Sequence, residues 1–134
     1  MDGSLRIPIA SDQDIVAARQ QGRQLAAQLE KFSPSDLTVI AAAISEIVRN
    51  IVEYAGHGEV ELSLIEQRDR RGILIVARDQ GPGIPDIGLA LQDGFSTSGS
   101  LGVGLPGARR LMDEFEIQSS NGDGTTVIMR KWAR

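Results

Sequence analysis

Cysteine is absent from the 134 residues. That excludes disulfides, thiol nucleophiles and thiolate metal sites. Histidine occurs once, at His57, so a Ser-His triad could form only through that residue, and a His-rich metal site is excluded. Basic residues never run beyond pairs such as Arg70-Arg71 and Arg109-Arg110, and the formal net charge is −4. A phosphate-backbone footprint needs clustered Lys and Arg, so nucleic acid is a poor candidate partner. A signal peptide and a long apolar span are missing too, which leads us to expect a cytoplasmic protein without membrane contact. What is present fits one domain over residues 1–134. Hydrophobic residues make up 41% and charged residues 24%, well mixed along the chain, a composition unlike that of disordered segments. A chain of this length buries roughly two-thirds of its unfolded surface on folding.

"LRIPIA" (5–10) predicts a short first strand, with Pro8 marking a sheet edge. Ser11 opens a helix in "SDQD", with Asp14 where a capping box usually has Glu. Ile15, Ala18, Gly22, Leu25, Ala26 and Leu29 give that helix one apolar face. "FSPSD" starts a second helix: Ser33 as N-cap, Pro34 as first helical residue, Asp36 at the positive helix end. Its pattern runs to about Ala55 and stops at "GHG". "EVELSLIE" and "GILIVARD" predict two strands joined by the polar turn "QRDRR". Beyond a long glycine-rich segment, "LPGARRLMDEF" predicts a short helix. "EIQSS" and "TTVIMRKW" predict a last strand pair around the hairpin signal "NGDG". This order predicts an α+β fold, a two-layer sandwich with a mostly antiparallel sheet and helices on one face.

Two segments do more than build that frame. In "AISEIVRNIVEYA", Glu46 and Asn50 are four apart and stack on one helix face. Leu37, Ile40, Ala41, Ile44, Ile47, Val48, Ile51 and Ala55 form the opposite, core-facing stripe. Glu46, Asn50 and Glu53 could simply face water. Their neighbours Val39, Ala42 and Ala43 are short and apolar, however, where a solvated face would carry long charged residues. Something could approach such a face closely. A carboxylate and an amide oxygen there suit a hard cation with water ligands, the usual way Mg²⁺ is held beside phosphates.

The other segment begins at "DQGPGI" (79–84). An apolar strand runs into a carboxylate, then into two glycines and a proline, with no return strand after them. Eight of the fifteen glycines fall between Gly81 and Gly107. Glycine allows backbone N–H groups to surround a ligand closely. "GVGLPGARRL" places Gly102 and Gly104 just before a helix, whose free N–H groups make an anion site. A lone GxG carries little weight. The dinucleotide fingerprint lacks its parallel strand–helix–strand unit, and the "GxxxxGK[ST]" phosphate loop is absent. Any nucleotide site here is therefore of another kind.

Taken together, these residues resemble the GHKL (Bergerat-fold) ATP-binding family. Four of its motifs occur in order: "ExxxN" at Glu46 and Asn50, "DxGxG" at Asp79, Gly81 and Gly83, "GxG" at Gly102 and Gly104, "GT" at Gly124 and Thr125. Longer stretches ("DIVAARQ", "DQGPGIPD", "DGFSTSG", "GLPGARRLMDEF") are similar to the small RsbT-type switch kinases of bacterial stressosomes, and the likeness covers nearly the whole chain. The resemblance implies that Asp79 accepts a hydrogen bond from the adenine amino group, with the Thr125 hydroxyl assisting. Gly81 and Gly83 would leave room for the base. Asn50 would hold Mg²⁺ between the phosphates of ATP, and Glu46 would deprotonate the attacking hydroxyl. Residues 85–101 would form a lid, and Gly102 and Gly104 would donate N–H groups to phosphate. Two departures from relatives stand out. Residues 79–108 contain no Lys or Arg, leaving Arg109 or Arg110 as possible helpers. Tyr54 stands where relatives often carry a basic residue.

The resemblance implies a protein serine/threonine kinase acting on STAS-domain partners and then on a downstream partner such as a phosphatase. The alternative is a nucleotide-dependent binding module with little turnover. An isolated histidine kinase domain fits poorly, because His57 lies in the turn "AGHGE" and not on a dimerisation helix. Phe95, Leu101, Val103, Leu105 and Met112 surround the phosphate loop. Part of this set could form an apolar docking patch, although Leu105 and Met112 suit a core as well.

Overall fold

A computed structural model describes residues 4–81, 104–119 and 124–134 of the chain. Five strands form one sheet: β1 (Leu5–Ile9), β2 (Gly58–Gln67), β3 (Arg70–Asp79), β4 (Glu114–Ser119) and β5 (Thr125–Trp132). Their order across the sheet is β1-β2-β3-β5-β4, and every neighbouring pair is antiparallel. Three α-helices, α1 (Asp12–Ala26), α2 (Pro34–Asn50) and α3 (Gly104–Leu111), and one π-helical turn (Ile51–Ala55) complete the elements among the described residues.

Strand alternation sorts the side chains. Ile7 and Ile9 on β1, Val60 and Leu62 on β2, Ile73, Ile75 and Ala77 on β3, and Val127 and Met129 on β5 are buried in one core. Ile40, Ile44, Ile47 and Val48 of α2 and Ile15, Ala18 and Leu25 of α1 belong to the same core. The opposite sheet face carries cross-strand ion pairs: Arg78 with Glu59 and Glu61, and Arg130 with Glu114 and Glu116. Exposed pairs of this kind contribute about 0–1 kcal/mol each, so burial against the helices carries the stability. The expected α+β sandwich with helices on one face is what the chain adopts.

Local chemistry explains the helix starts. At α2, the Asp36 N–H donates to Ser33 Oγ at 3.1 Å, and the Ser33 N–H donates to the Asp36 carboxylate at 2.9 Å. At α1, the Ser11 N–H donates to the Asp14 carboxylate at 3.0 Å, the reach-back expected of Asp14.

Two helix boundaries and the burial of one residue differ from expectation. The α-helical part of α2 stops at Asn50, and Ile51–Ala55 widen into a π-helical turn. The Gly56 N–H closes that turn on the Ile51 carbonyl at 2.8 Å. Such single π-helical turns are rare and occur frequently at functional sites. Helix α3 ends at Leu111, short of the expected Phe115, and β4 begins at Glu114. Asp113 leaves the helix because β5 bonds it: its N–H donates to the Arg130 carbonyl at 3.0 Å, and its carboxylate accepts the Trp132 N–H at 2.8 Å. Lastly, Ala43 is fully buried and not part of an open face. Helix α3 packs on α2, and its Leu105 and Ala108 belong to the same core as Ala43.

Candidate functional site

The sheet brings three polar side chains into one row. Asp79 is the last residue of β3, Thr125 the first of β5 and Ser119 the last of β4. The register pairs Asp79 with Thr125 and Ser119 with Thr125. Directly opposed residues share a sheet face. This is the face of Ile75 and Ala77, so the row continues the core-facing side at one sheet end. Asp79 is half-buried there. Its Oδ1 accepts the Gly81 N–H at 2.9 Å, which turns the chain sharply and fixes the carboxylate.

Two glycines make the close approaches this end needs. A Cβ on Gly81 would lie 2.6 Å from Ala55 Cβ, so only glycine lets the turn after Asp79 sit against the π-helical turn. Gly124 has φ +81°, and a Cβ there would overlap the Asp79 carbonyl oxygen. The "GT" pair is thus wedged against the backbone of the "DxG" pair.

Ser119 was not singled out in the sequence. Its Oγ lies 2.8 Å from Thr125 Oγ1 and donates to the Gly124 carbonyl at 3.1 Å. Nothing local marks it, because it reaches Thr125 only through the β4–β5 register.

Helix α2 carries the second polar row. Glu46 is only 14% exposed, and its Oε1 accepts from Arg49 Nη1 at 3.1 Å. Arg49 was also missed, although its i,i+3 spacing from Glu46 is a readable signal. Asn50 follows on the same helix. Its Nδ2 is buried and has no hydrogen-bond partner among the described residues. An unmade bond at a buried polar atom costs about 1–3 kcal/mol, and such groups tend to be kept for a role other than stability. Val39 and Ala42 are half-buried beside this row, and Glu53 is exposed. The π-helical turn starts directly after Asn50 and ends at Ala55, the residue against which Gly81 packs. The carboxylate row and the helix row are therefore joined by one short turn.

The donor set fits a Mg²⁺ ion held beside phosphates. Among the described residues no three His, Cys, Asp or Glu side chains converge on one point. Mg²⁺ does not need such a cage, since it keeps its waters and takes one or two protein oxygens plus phosphate oxygens. The Asn50 carboxamide could supply one such oxygen, Oδ1, while its unpartnered Nδ2 is a donor suited to a ligand's acceptor oxygen and not to the cation.

Some expected residues lie outside the described ones: Gly83, Gly102, the segment 85–101, Phe95, Leu101 and Val103. Gly104 is the first residue of α3. Leu105 and Met112 are each 7% exposed and belong to the core, so neither contributes to an outward apolar patch. Arg109 and Arg110 are exposed on α3, His57 is an exposed turn residue, and Tyr54 is 45% exposed. No helix among the described residues is long and apolar enough to cross a membrane.

Comparison with known proteins bears on this arrangement. The sequence profile of the histidine kinase-like ATPase domain matches residues 9–131. Over 128 residues the chain is 51% identical to the serine/threonine-protein kinase RsbT of Bacillus subtilis (strain 168), covering 96% of each chain. It is 34% identical over 117 residues to the anti-sigma F factor of Geobacillus stearothermophilus, covering 80% of this chain and 78% of that one. Its fold resembles the crystal structure of the RsbU and RsbW domains of Rv1364c from Mycobacterium tuberculosis, with a TM-score of 0.67 at 23% identity. That likeness spans 98% of this chain and 33% of the other.

Proposed function

The chain belongs to the histidine kinase-like ATPase family and is a protein serine/threonine kinase of the partner-switching kind; from that premise we propose how its residues bind ATP and move the phosphoryl group. The observation that carries the reading is the joining of two rows by one turn: Asp79 with Thr125 at the sheet end, and Glu46 with Asn50 on α2.

Asp79 accepts from the adenine amino group, and Thr125 supplies a second polar contact. Gly81 and Gly83 keep side chains away from the base. Gly102 and Gly104 donate backbone N–H groups to phosphate ahead of α3. Asn50 holds Mg²⁺, which when bound supplies the charge neutralisation that residues 79–108, without Lys or Arg, do not. Glu46 takes the proton of the partner's Ser or Thr hydroxyl. That oxygen bonds to the γ-phosphorus as the bond to ADP breaks, and positioning does most of the catalytic work. Arg49 keeps one Glu46 oxygen fixed while this happens.

The whole chain, residues 1–134, acts as a single kinase domain in the cytoplasm. Its substrates are STAS-domain proteins of a stressosome-type assembly. After transfer the kinase leaves them for a downstream partner such as a phosphatase. New negative charge on the STAS protein, next to ADP and Glu46, repels and speeds that departure.

The test is incubation with Mg-ATP and STAS proteins of the same genome, with any phosphate located by mass spectrometry. Phosphoserine or phosphothreonine is expected. Glu46→Gln should keep nucleotide affinity and lose transfer by about 10²–10⁴-fold, the usual contribution of a general base. Transfer at the parental rate in Glu46→Gln removes Glu46 from the role. Nucleotide-dependent binding to STAS proteins without any transfer would point to a binding module.

A further inference from the structure

We infer that Ser119 is a positioning residue that fixes the proton of Thr125 and thereby makes the Thr125 hydroxyl an acceptor towards the base. The inference rests on the reading of Asp79 and Thr125 as the adenine contacts, and it adds what sets their polarity.

The reasoning is proton counting. Ser119 Oγ donates to the Gly124 carbonyl at 3.1 Å. A carbonyl oxygen only accepts, and a serine hydroxyl has one proton. In its 2.8 Å contact with Thr125 Oγ1, Ser119 is therefore the acceptor and Thr125 the donor. Thr125 has spent its single proton on Ser119, and only lone pairs remain for a ligand. Its ladder partner Asp79 offers a carboxylate on the same face. Two acceptors then stand side by side at the sheet end.

A purine with an amino group at position 6 meets them with two N–H donors. A purine with a carbonyl at that position brings lone pairs against lone pairs. Sites whose buried polar groups are left unpaired by the wrong base discriminate strongly. The Gly124 carbonyl that anchors the relay is itself held, because the φ of +81° and the contact with Asp79 fix that residue. Ser119, Gly124, Thr125 and Asp79 thus form one unit in which a side chain remote from the ligand selects the base.

The experiment measures Kd for Mg-ATP and for Mg-GTP in the parent, Ser119→Ala, Ser119→Thr, Thr125→Val and the double variant Ser119→Ala/Thr125→Val. In Ser119→Ala the Thr125 proton is released to turn towards the base, and the ATP-over-GTP preference should fall about tenfold, the worth of one hydrogen bond. Ser119→Thr keeps the hydroxyl and should restore the preference. In the Thr125→Val background, Ser119→Ala should change nothing further, because there is no proton left to direct. An unchanged preference in Ser119→Ala overturns the inference, and so does an undiminished effect in the Val background. If Ser119→Ala does not fold, Ser119→Cys, a weak donor and acceptor of similar size, reads the same ratio. Asp79→Asn separates this from the reading beneath it. If Asp79→Asn binds ATP as the parent does, the nucleotide site itself is misplaced. If Asp79→Asn weakens ATP and Ser119→Ala leaves the preference intact, only the relay is wrong.

Discussion

Gly124 shows how much one residue can hold. Its positive φ alone penalises any side chain by roughly 1–2 kcal/mol. The Asp79 carbonyl occupies the place a Cβ would take, and it is backbone that cannot swing aside. Gly124→Ala should therefore lower unfolding free energy by more than about 2 kcal/mol in urea titration. It should also weaken ATP binding, because relief of the clash moves either Asp79 or Thr125. A variant that keeps both parental stability and parental affinity would show that the tight approach at the sheet end has no consequence. Asn50 is the opposite kind of residue. Its Nδ2, buried and without a partner among the described residues, costs stability where it stands, which fits a side chain retained for a ligand.

Helix α2 carries two incompatible duties along its length. Ile40, Ile44, Ile47 and Val48 are at most 1% exposed and tie the helix to the sheet. Glu46 and Asn50, in the proposed roles, would have to keep polar atoms within reach of a ligand. The π-helical turn at Ile51–Ala55 relieves the conflict by re-aiming the chain after Asn50, so that Ile51 stays buried and Gly81 can dock on Ala55. Removing core volume from this helix should be far more damaging than removing its surface charges. Ile44→Ala should cost about 2–5 kcal/mol by urea or thermal unfolding. Arg78→Ala, which deletes ion pairs on the solvent face of the sheet, should cost about 1 kcal/mol or less. Comparable losses for the two would mean that the sheet's outer face, and not the helix–sheet core, dominates stability.

For the molecule as a whole, nucleotide and fold are linked. The proposed site draws on β3, β5 and the end of α2, which are brought together only in the folded state. A ligand that binds only that state stabilises it by mass action, by about 2.7 kcal/mol at 100-fold excess over Kd. Thermal unfolding with Mg-ATP should therefore shift upward with ligand concentration, and the shift should shrink in Asp79→Asn. A Tm indifferent to Mg-ATP at saturating concentration would argue against nucleotide binding to the folded chain, and an undiminished shift in Asp79→Asn would place the site elsewhere. Partner exchange belongs to this scale as well. With Leu105 and Met112 committed to the core, neither is available to the proposed docking patch for a STAS protein.

Much of this was legible in residue order alone. Alternation in "GILIVARD" and "TTVIMRKW", Ser33 with Pro34 and Asp36, and the turn signal before Gly124 were enough for the elements, because each reports local backbone preference. Glu46 and Asn50 could be paired on one face by helical spacing, and Asp79 stood out as a carboxylate ending an apolar strand. The sequence could not show Ser119, since its hydroxyl meets Thr125 six residues away only when β4 and β5 pair in one register. It placed Ala43 on an open face, because a helical repeat gives directions and not neighbours, and α1 and α3 both pack on the helix that carries it. It carried α3 on through Asp113, whose side chain and N–H are instead claimed by β5. Local chemistry thus determined which elements form and which residues are polar within them. Long-range pairing decided which of those polar groups meet, since a hydrogen bond depends on distances that only the packed sheet and helices set.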